Sequence, residues 1–148
     1  MNSQVGEVEI RPGPAQPFQL ALFSGGTLIL DDLRGQVVMV DFWASWCPPC
    51  RLETPTLGRV YREYQDKGVE FVGVAIWDTE EDAQGYIRQY GIAYPNGLDP
   101  KGRMAMDYGV GGIPEKYFIS RGGILVKKII GPVDEIRLKQ ALDELLSE

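Results

Sequence analysis

The chain has 148 residues, 44% apolar and 24% charged, the balance of a single globular domain. Its net charge of −6 argues against a nucleic-acid partner, because phosphate binding calls for a basic patch. No run reaches the length of a transmembrane helix, and the start lacks the charged region and apolar core of a signal peptide.

Residues 1–17 are polar and carry Pro12, Pro14 and Pro17, so they read as an extended, poorly ordered lead-in to a domain over 18–148. Phe18 to Leu22 alternates apolar and polar, Ser24-Gly25-Gly26 turns the chain, and Thr27 to Leu30 returns, which predicts a β-hairpin. Val37 to Phe42 reads as a buried strand.

A helix follows Cys47, with Leu52, Thr56, Leu57, Val60, Tyr61 and Tyr64 as its apolar stripe, a kink at Pro55 and an end at Gly68. Val69 to Ile76 is a second core strand. Thr79 opens another helix, with Ala83, Tyr86, Ile87 and Tyr90 on one face and Gly91 closing it. The acids Asp78, Glu80, Glu81 and Asp82 read as dipole partners of that helix start, not as a metal site.

Tyr94 to Leu98 predicts a short strand and Met104 to Tyr108 a helical turn. Lys116 to Ser120 and Ile124 to Ile130, joined by Arg121-Gly122-Gly123, form an antiparallel pair. A last helix from Asp134 buries Leu138, Ala141, Leu142 and Leu145. A βαβ unit followed by ββα predicts an α/β fold: a mixed central sheet flanked by helices, with an added N-terminal hairpin.

The chemistry concentrates in Asp41-Phe42-Trp43-Ala44-Ser45-Trp46-Cys47-Pro48-Pro49-Cys50, which holds both cysteines of the chain. They sit where a strand ends and a helix begins. Free N–H groups and the helix dipole stabilise a thiolate there. Half a zinc site is one alternative, but zinc takes four ligands, and the chain has no other cysteine and no histidine. A static disulfide is another, yet so small a loop removes little chain entropy. The context favours redox chemistry.

With no histidine, proton handling falls to carboxylates or water. Asp41 ends the apolar strand, where burial would raise its pKa. Glu53 lies one turn after Cys50, on the same helix face. Pro48 and Pro49 lack N–H groups, so two donors that would face the thiolate are missing.

The segment Asp41 to Cys50 resembles thioredoxin. Trp46 to Cys50 followed by Arg51-Leu52-Glu53-Thr54-Pro55, the long segment before the first core strand, and Gly109-Val110-Gly111-Gly112-Ile113-Pro114 followed by Glu115-Lys116-Tyr117-Phe118-Ile119 resemble the TlpA/ResA-type reductases. The resemblance spans about Gly13 to Leu146. It implies a thioredoxin fold and a thiol–disulfide oxidoreductase, with Cys47 the solvent-facing nucleophile and Cys50 the resolving thiol. Asp41 matches an acid of thioredoxin and Glu53 a glutamate of the TlpA/ResA type. Carrying both is a departure, and the sequence leaves open which one works.

The resemblance also implies a cis peptide at Ile113-Pro114, facing the cysteines and pairing with a partner strand. Trp46, Pro48 and Pro49 would flank that partner. The expected partners are a disulfide-bearing protein substrate and an upstream thiol donor, with no bound cofactor or metal and a monomeric chain. The family suggests an extracytoplasmic site, tethered by an anchor absent from this chain, with a cytoplasmic site as the alternative and cytochrome c maturation as one possible process. The rival readings are a thiol peroxidase, for which Cys47 lacks a Pro-x-x-x-Thr-x-x-Cys setting, and a non-catalytic module holding a metal or client.

Overall fold

The computed structural model describes residues 6–148. In chain order the strands and helices are β1 (Gly6–Val8), β2 (Gly13–Pro14), β3 (Gln19–Ala21), β4 (Thr27–Ile29), β5 (Val37–Trp43), α1 (Pro48–Tyr64), β6 (Val69–Ala75), α2 (Glu80–Tyr90), β7 (Asn96–Leu98), α3 (Arg103–Tyr108), β8 (Glu115–Ile119), β9 (Ile124–Ile130) and α4 (Glu135–Leu146). The main sheet runs β1-β9-β8-β5-β6-β7, with β2 also on β9. β5, β6 and β7 are parallel, while β8 and β9 run antiparallel to their neighbours. This is the mixed sheet that the strand–helix alternation predicts.

Every residue of β5 is buried, because the strand is central and both its faces are covered. Val37 and Met39 pack with Leu57 and Val60 of α1 and Leu138 and Leu142 of α4. Val38, Val40 and Phe42 pack on the other side with Phe18, Leu20 and Tyr108. Alternation therefore aims Asp41 at the α1 side, one step before Trp43.

The hairpin β3–β4 is a separate two-stranded sheet laid against the β7 edge through Leu22 and Gly97. Gly97 is required there: a Cβ at that position would meet the Ala21 carbonyl oxygen at 2.3 Å. Helix starts fall where the sequence placed them, with Thr79 accepting from the Asp82 amide and Asp134 from the Arg137 amide.

Three expectations need correction. The part of the lead-in that is described is not loose, since β1 and β2 pair with β9 and cap the sheet edge; residues 1–5 lie outside the described residues. Leu52 is 78% exposed, and the buried stripe of α1 instead runs through Cys50, Glu53, Thr54, Leu57, Val60, Tyr61 and Tyr64. Tyr90 is exposed, at the end of α2 where the helix leaves the core. α1 continues as one helix through Pro55. Among the described residues, no helix is long and apolar enough to cross a membrane.

Candidate active site

Cys47 is the N-cap of α1, with extended φ −89° and ψ 110°. It is bonded to Cys50 as a disulfide, with the two Cα atoms 5.3 Å apart. The Cys50 amide, the first available after the two prolines, points at Cys47 Sγ from 3.3 Å. The turn before it is pinned by Arg51, whose Nε donates to the Ser45 carbonyl at 3.1 Å. Arg51 therefore braces the turn and stays exposed.

Both sulfurs are covered, which corrects the expectation that Cys47 faces solvent: Cys47 is 2% exposed and Cys50 3%. The disulfide packs among Trp43, Ala75, Ala83 and Tyr86, with Ile113 against it. Thr54 donates to the Cys50 carbonyl at 3.0 Å and is joined to the Tyr86 hydroxyl at 2.6 Å, tying α2 to the same turn.

Ile113-Pro114 is cis, and the Ile113 carbonyl oxygen lies 3.9 Å from Cys47 Sγ. The loop is held by Glu115, a residue the sequence did not single out. Its Oε2 accepts from the Gly111 and Gly112 amides, each at 3.1 Å, and its Oε1 from the Tyr117 hydroxyl at 2.7 Å. Pro49, Ile113, Pro114 and Pro132 line an open groove beside the disulfide.

Asp41 and Glu53 are both buried and come together on one side chain, Lys116, which is fully buried. Asp41 and Lys116 are direct cross-strand neighbours of β5 and β8. Lys116 Nζ lies 3.1 Å from Asp41 Oδ1 and is in hydrogen-bonding contact with Glu53 Oε1. The Val133 amide donates to Glu53 Oε2 at 2.9 Å. Asp41 Oδ1 is buried and makes no well-formed hydrogen bond.

Burial raises the Asp41 pKa, and Lys116 offsets only part of that rise. Burial likewise pushes Glu53 up to about 7, against the pull of Lys116 and with a further push from Asp41. For Lys116, burial works downward, but the two carboxylates outweigh it and hold the pKa above its usual value. Glu53 is thus not a solvated helix acid.

Lys116 was missed because nothing local marks it. It stands in an apolar strand, and a buried lysine without a partner would be costly, which was the available signal. It also gives the two acids a buried positive neighbour.

The surface beside the disulfide is aromatic. Trp46 is exposed, and its indole N–H donates to the Trp77 carbonyl at 2.8 Å. Trp77 is also exposed and has φ +55°, an uncommon value for a bulky residue. Trp43, by contrast, is core: its indole donates to Asn96 Oδ1 at 2.8 Å. Among the described residues, no three His, Cys, Asp or Glu side chains cluster as a metal site would need.

Residues 13–128 match the model of the AhpC/TSA family. The chain is 39% identical over 118 residues to thiol:disulfide interchange protein HelX of Rhodobacter capsulatus, covering 78% of this chain and 65% of HelX. It is 31% identical over 131 residues to thiol-disulfide oxidoreductase ResA of Bacillus anthracis, covering 88% of this chain and 76% of ResA. Its fold superposes with a TM-score of 0.86 on a structure described as thiol:disulfide interchange protein DsbE of Chlorobium tepidum, at 31% identity over 94% of this chain and 99% of the other. A thioredoxin fold, a disulfide at a strand-to-helix turn and relatives of this kind lead to one conclusion: the chain belongs to the AhpC/TSA family and is a thiol–disulfide oxidoreductase.

Proposed function

We propose that the protein reduces disulfides in a protein partner, with Cys47 attacking and Cys50 resolving. In the reduced protein, the Cys47 thiolate attacks one sulfur of the partner's disulfide. A Cys47–partner bond forms, and the other partner sulfur leaves as a thiolate. Cys50 then loses its proton to a carboxylate of the buried cluster and attacks Cys47 Sγ. The Cys47–Cys50 bond closes, and the partner leaves with both sulfurs reduced.

The observation that carries this reading is the place of Cys47, at the helix N-cap and next to the Ile113 carbonyl. An extended partner segment lying along Ile113 and Pro114 would present its sulfur to Cys47, a form of strand addition. Trp46, Pro48 and Pro49 would form the other wall. Asp41 and Glu53 are the candidate proton acceptors. An upstream dithiol donor must return two electrons for each turnover, because the pair ends oxidised.

The resemblance to TlpA/ResA-type proteins supports work outside the cytoplasm, with an anchor supplied by sequence beyond this chain. Fractionation of the native host would place it; a cytoplasmic pool alone contradicts this reading. For the chemistry, Cys50→Ala should trap a mixed disulfide with its partner, identifiable by mass spectrometry. Cys47→Ala should abolish insulin reduction. Retained reduction by Cys47→Ala removes the assignment.

A further inference from the structure

The groove beside the disulfide has walls of Pro49, Ile113, Pro114, Ile130 and Pro132, and among the described residues its charged members are Glu115 and Lys128. Glu115 is buried, and both its oxygens are taken, Oε2 by the Gly111 and Gly112 amides and Oε1 by the Tyr117 hydroxyl. Lys128 keeps 17% of its side chain exposed. Its Nζ lies 3.5 Å from Glu115 Oε1, 3.5 Å from the Gly109 carbonyl oxygen and 5.2 Å from the centre of the Tyr117 ring. Both oxygens stand at the outer limit of hydrogen bonding, so an ammonium with three donors has capacity left.

We propose that Lys128 is a specificity-determining residue of the exchange reaction: it selects partner segments that carry a carboxylate side chain near the reacting cysteine. This rests on the reductase reading above and names the class of partner.

The strand geometry puts the ammonium in place. Ile129 is buried in the core with Leu138 and Leu142 of α4, so Lys128 and Ile130 share the opposite face of β9, and both line the groove. A partner strand beside Ile113 finds the Gly111 and Gly112 amides already given to Glu115, so recognition along this stretch falls to side chains. A carboxylate there completes the ammonium's donor set, and apolar walls strengthen a charged hydrogen bond relative to open solvent. A basic side chain meets like charge. An apolar one covers the ammonium and gives it no acceptor.

The sign of this preference is diagnostic. The chain carries a net charge of −6, so its overall field attracts basic partners and repels acidic ones. A preference for acidic segments therefore has a local origin.

The test uses the reduced full chain and a set of peptides, each with one cysteine held as a mixed disulfide with thionitrobenzoate. Cys47 attacks the peptide sulfur, a Cys47–peptide bond forms and thionitrobenzoate leaves; Cys50 then displaces the peptide thiolate. Glu, Gln or Lys is placed at each flanking position in turn, and every rate is divided by the rate of the same peptide with dithiothreitol, which removes the peptide's own reactivity. At one position Glu should react about three- to tenfold faster than Gln, with Lys slowest. Lys128→Gln should bring the Glu-to-Gln ratio to about one, and Lys128→Glu should put the Lys peptide first. Added salt should shrink the wild-type ratio.

If Lys128→Gln does not fold, Lys128→Arg keeps the charge and should keep the preference, and the wild-type salt dependence still decides. The proposal is overturned by a wild type with no preference for Glu at any position, by a ratio that salt leaves unchanged, or by a ratio that survives in Lys128→Gln while all three peptides slow together. In that last case Lys128 only braces Glu115. Failure of every peptide to release thionitrobenzoate would overturn the exchange reading itself, and this proposal with it.

Discussion

The Trp46 indole N–H donates to the Trp77 carbonyl at 2.8 Å, joining the turn before the disulfide to the turn after β6. Asp78 reinforces the junction, accepting from the Ser45 amide at 2.7 Å, the Ser45 hydroxyl at 3.0 Å and the Thr79 amide at 2.9 Å. A positive φ at a tryptophan costs about 1–3 kcal/mol and needs surrounding structure to hold it. These bonds supply that structure.

Asp78→Ala should therefore weaken the protein by about 1–3 kcal/mol, the penalty for stranding partly buried donors. Denaturant unfolding of the oxidised protein measures it. An unchanged midpoint would mean that water replaces Asp78 without loss.

Gly73 makes a second test of the site's support. A Cβ there would lie 1.9 Å from Asn96 Oδ1, and that oxygen accepts from the Trp43 indole. Gly73→Ala must displace Asn96, which breaks the Trp43 bond beneath the cysteines. The expected loss is about 2–4 kcal/mol, combining overpacking with an unpaired buried donor. Because Asn96 is the shared cause, Gly73→Ala in an Asn96→Ala background should lose less than it does alone. Equal losses in both backgrounds would place the strain elsewhere.

Much of the fold and the two reacting sulfurs are legible in the sequence because their signals are local. Thr79 and Asp134 announce helix starts through their own side chains, and Cys47-Pro48-Pro49-Cys50 marks a strand-to-helix turn. What is illegible depends on register between distant strands. Lys116 meets Asp41 only because β8 pairs with β5 in one register, and it meets Glu53 only because α1 crosses that face. The same holds for β1 and β2, whose partner β9 lies far along the chain. Cys47 looked exposed because much of what packs around it, Ala75 of β6 and Ala83 and Tyr86 of α2, comes from elements the local strand-to-helix signal does not contain.

The buried acids also give stability a pH dependence. Glu53 holds its proton up to about 7 in the folded chain, against 4.5 as its unperturbed value. A raised carboxyl binds its proton more tightly when folded, so its contribution is fully present below 4.5 and is lost as pH rises to about 7. Asp41 acts in the same direction, while Lys116 changes only at alkaline pH. Each such proton gives a slope of up to about 1.4 kcal/mol per pH unit. Glu53→Gln should reduce the fall in stability between pH 4.5 and about 7 by about one proton's worth. Parallel wild-type and variant curves over that range would show that Glu53 ionises as an ordinary surface acid does.

The redox direction follows from the first turn of α1. With Cys47 as N-cap, Pro48 is the first helical residue and Pro49 the second. A capping side chain accepts from the amide of the second or third helical residue. Only the third, that of Cys50, remains, at 3.3 Å from Cys47 Sγ. The Ile113 carbonyl on the other side, 3.9 Å away, presents partial negative charge. Lys116 is positive but already serves two carboxylates. The Cys47 thiolate is therefore weakly stabilised, and the pair should be a reductant, since stabilising the reduced form is what makes an oxidant. Pro49→Ala should restore the missing donor, lower the Cys47 pKa and raise the potential, with about 30 mV for each tenfold change in equilibrium constant. Pro48→Ala should do less, because the first amide does not reach the cap. Thiolate absorbance against pH separates this electrostatic effect from any loosening of the loop, and equilibration with glutathione gives the potential. A wild-type pair half-oxidised near about −120 mV, the range of a strong oxidant, or a Pro49→Ala thiol with unchanged pKa, would sink the argument.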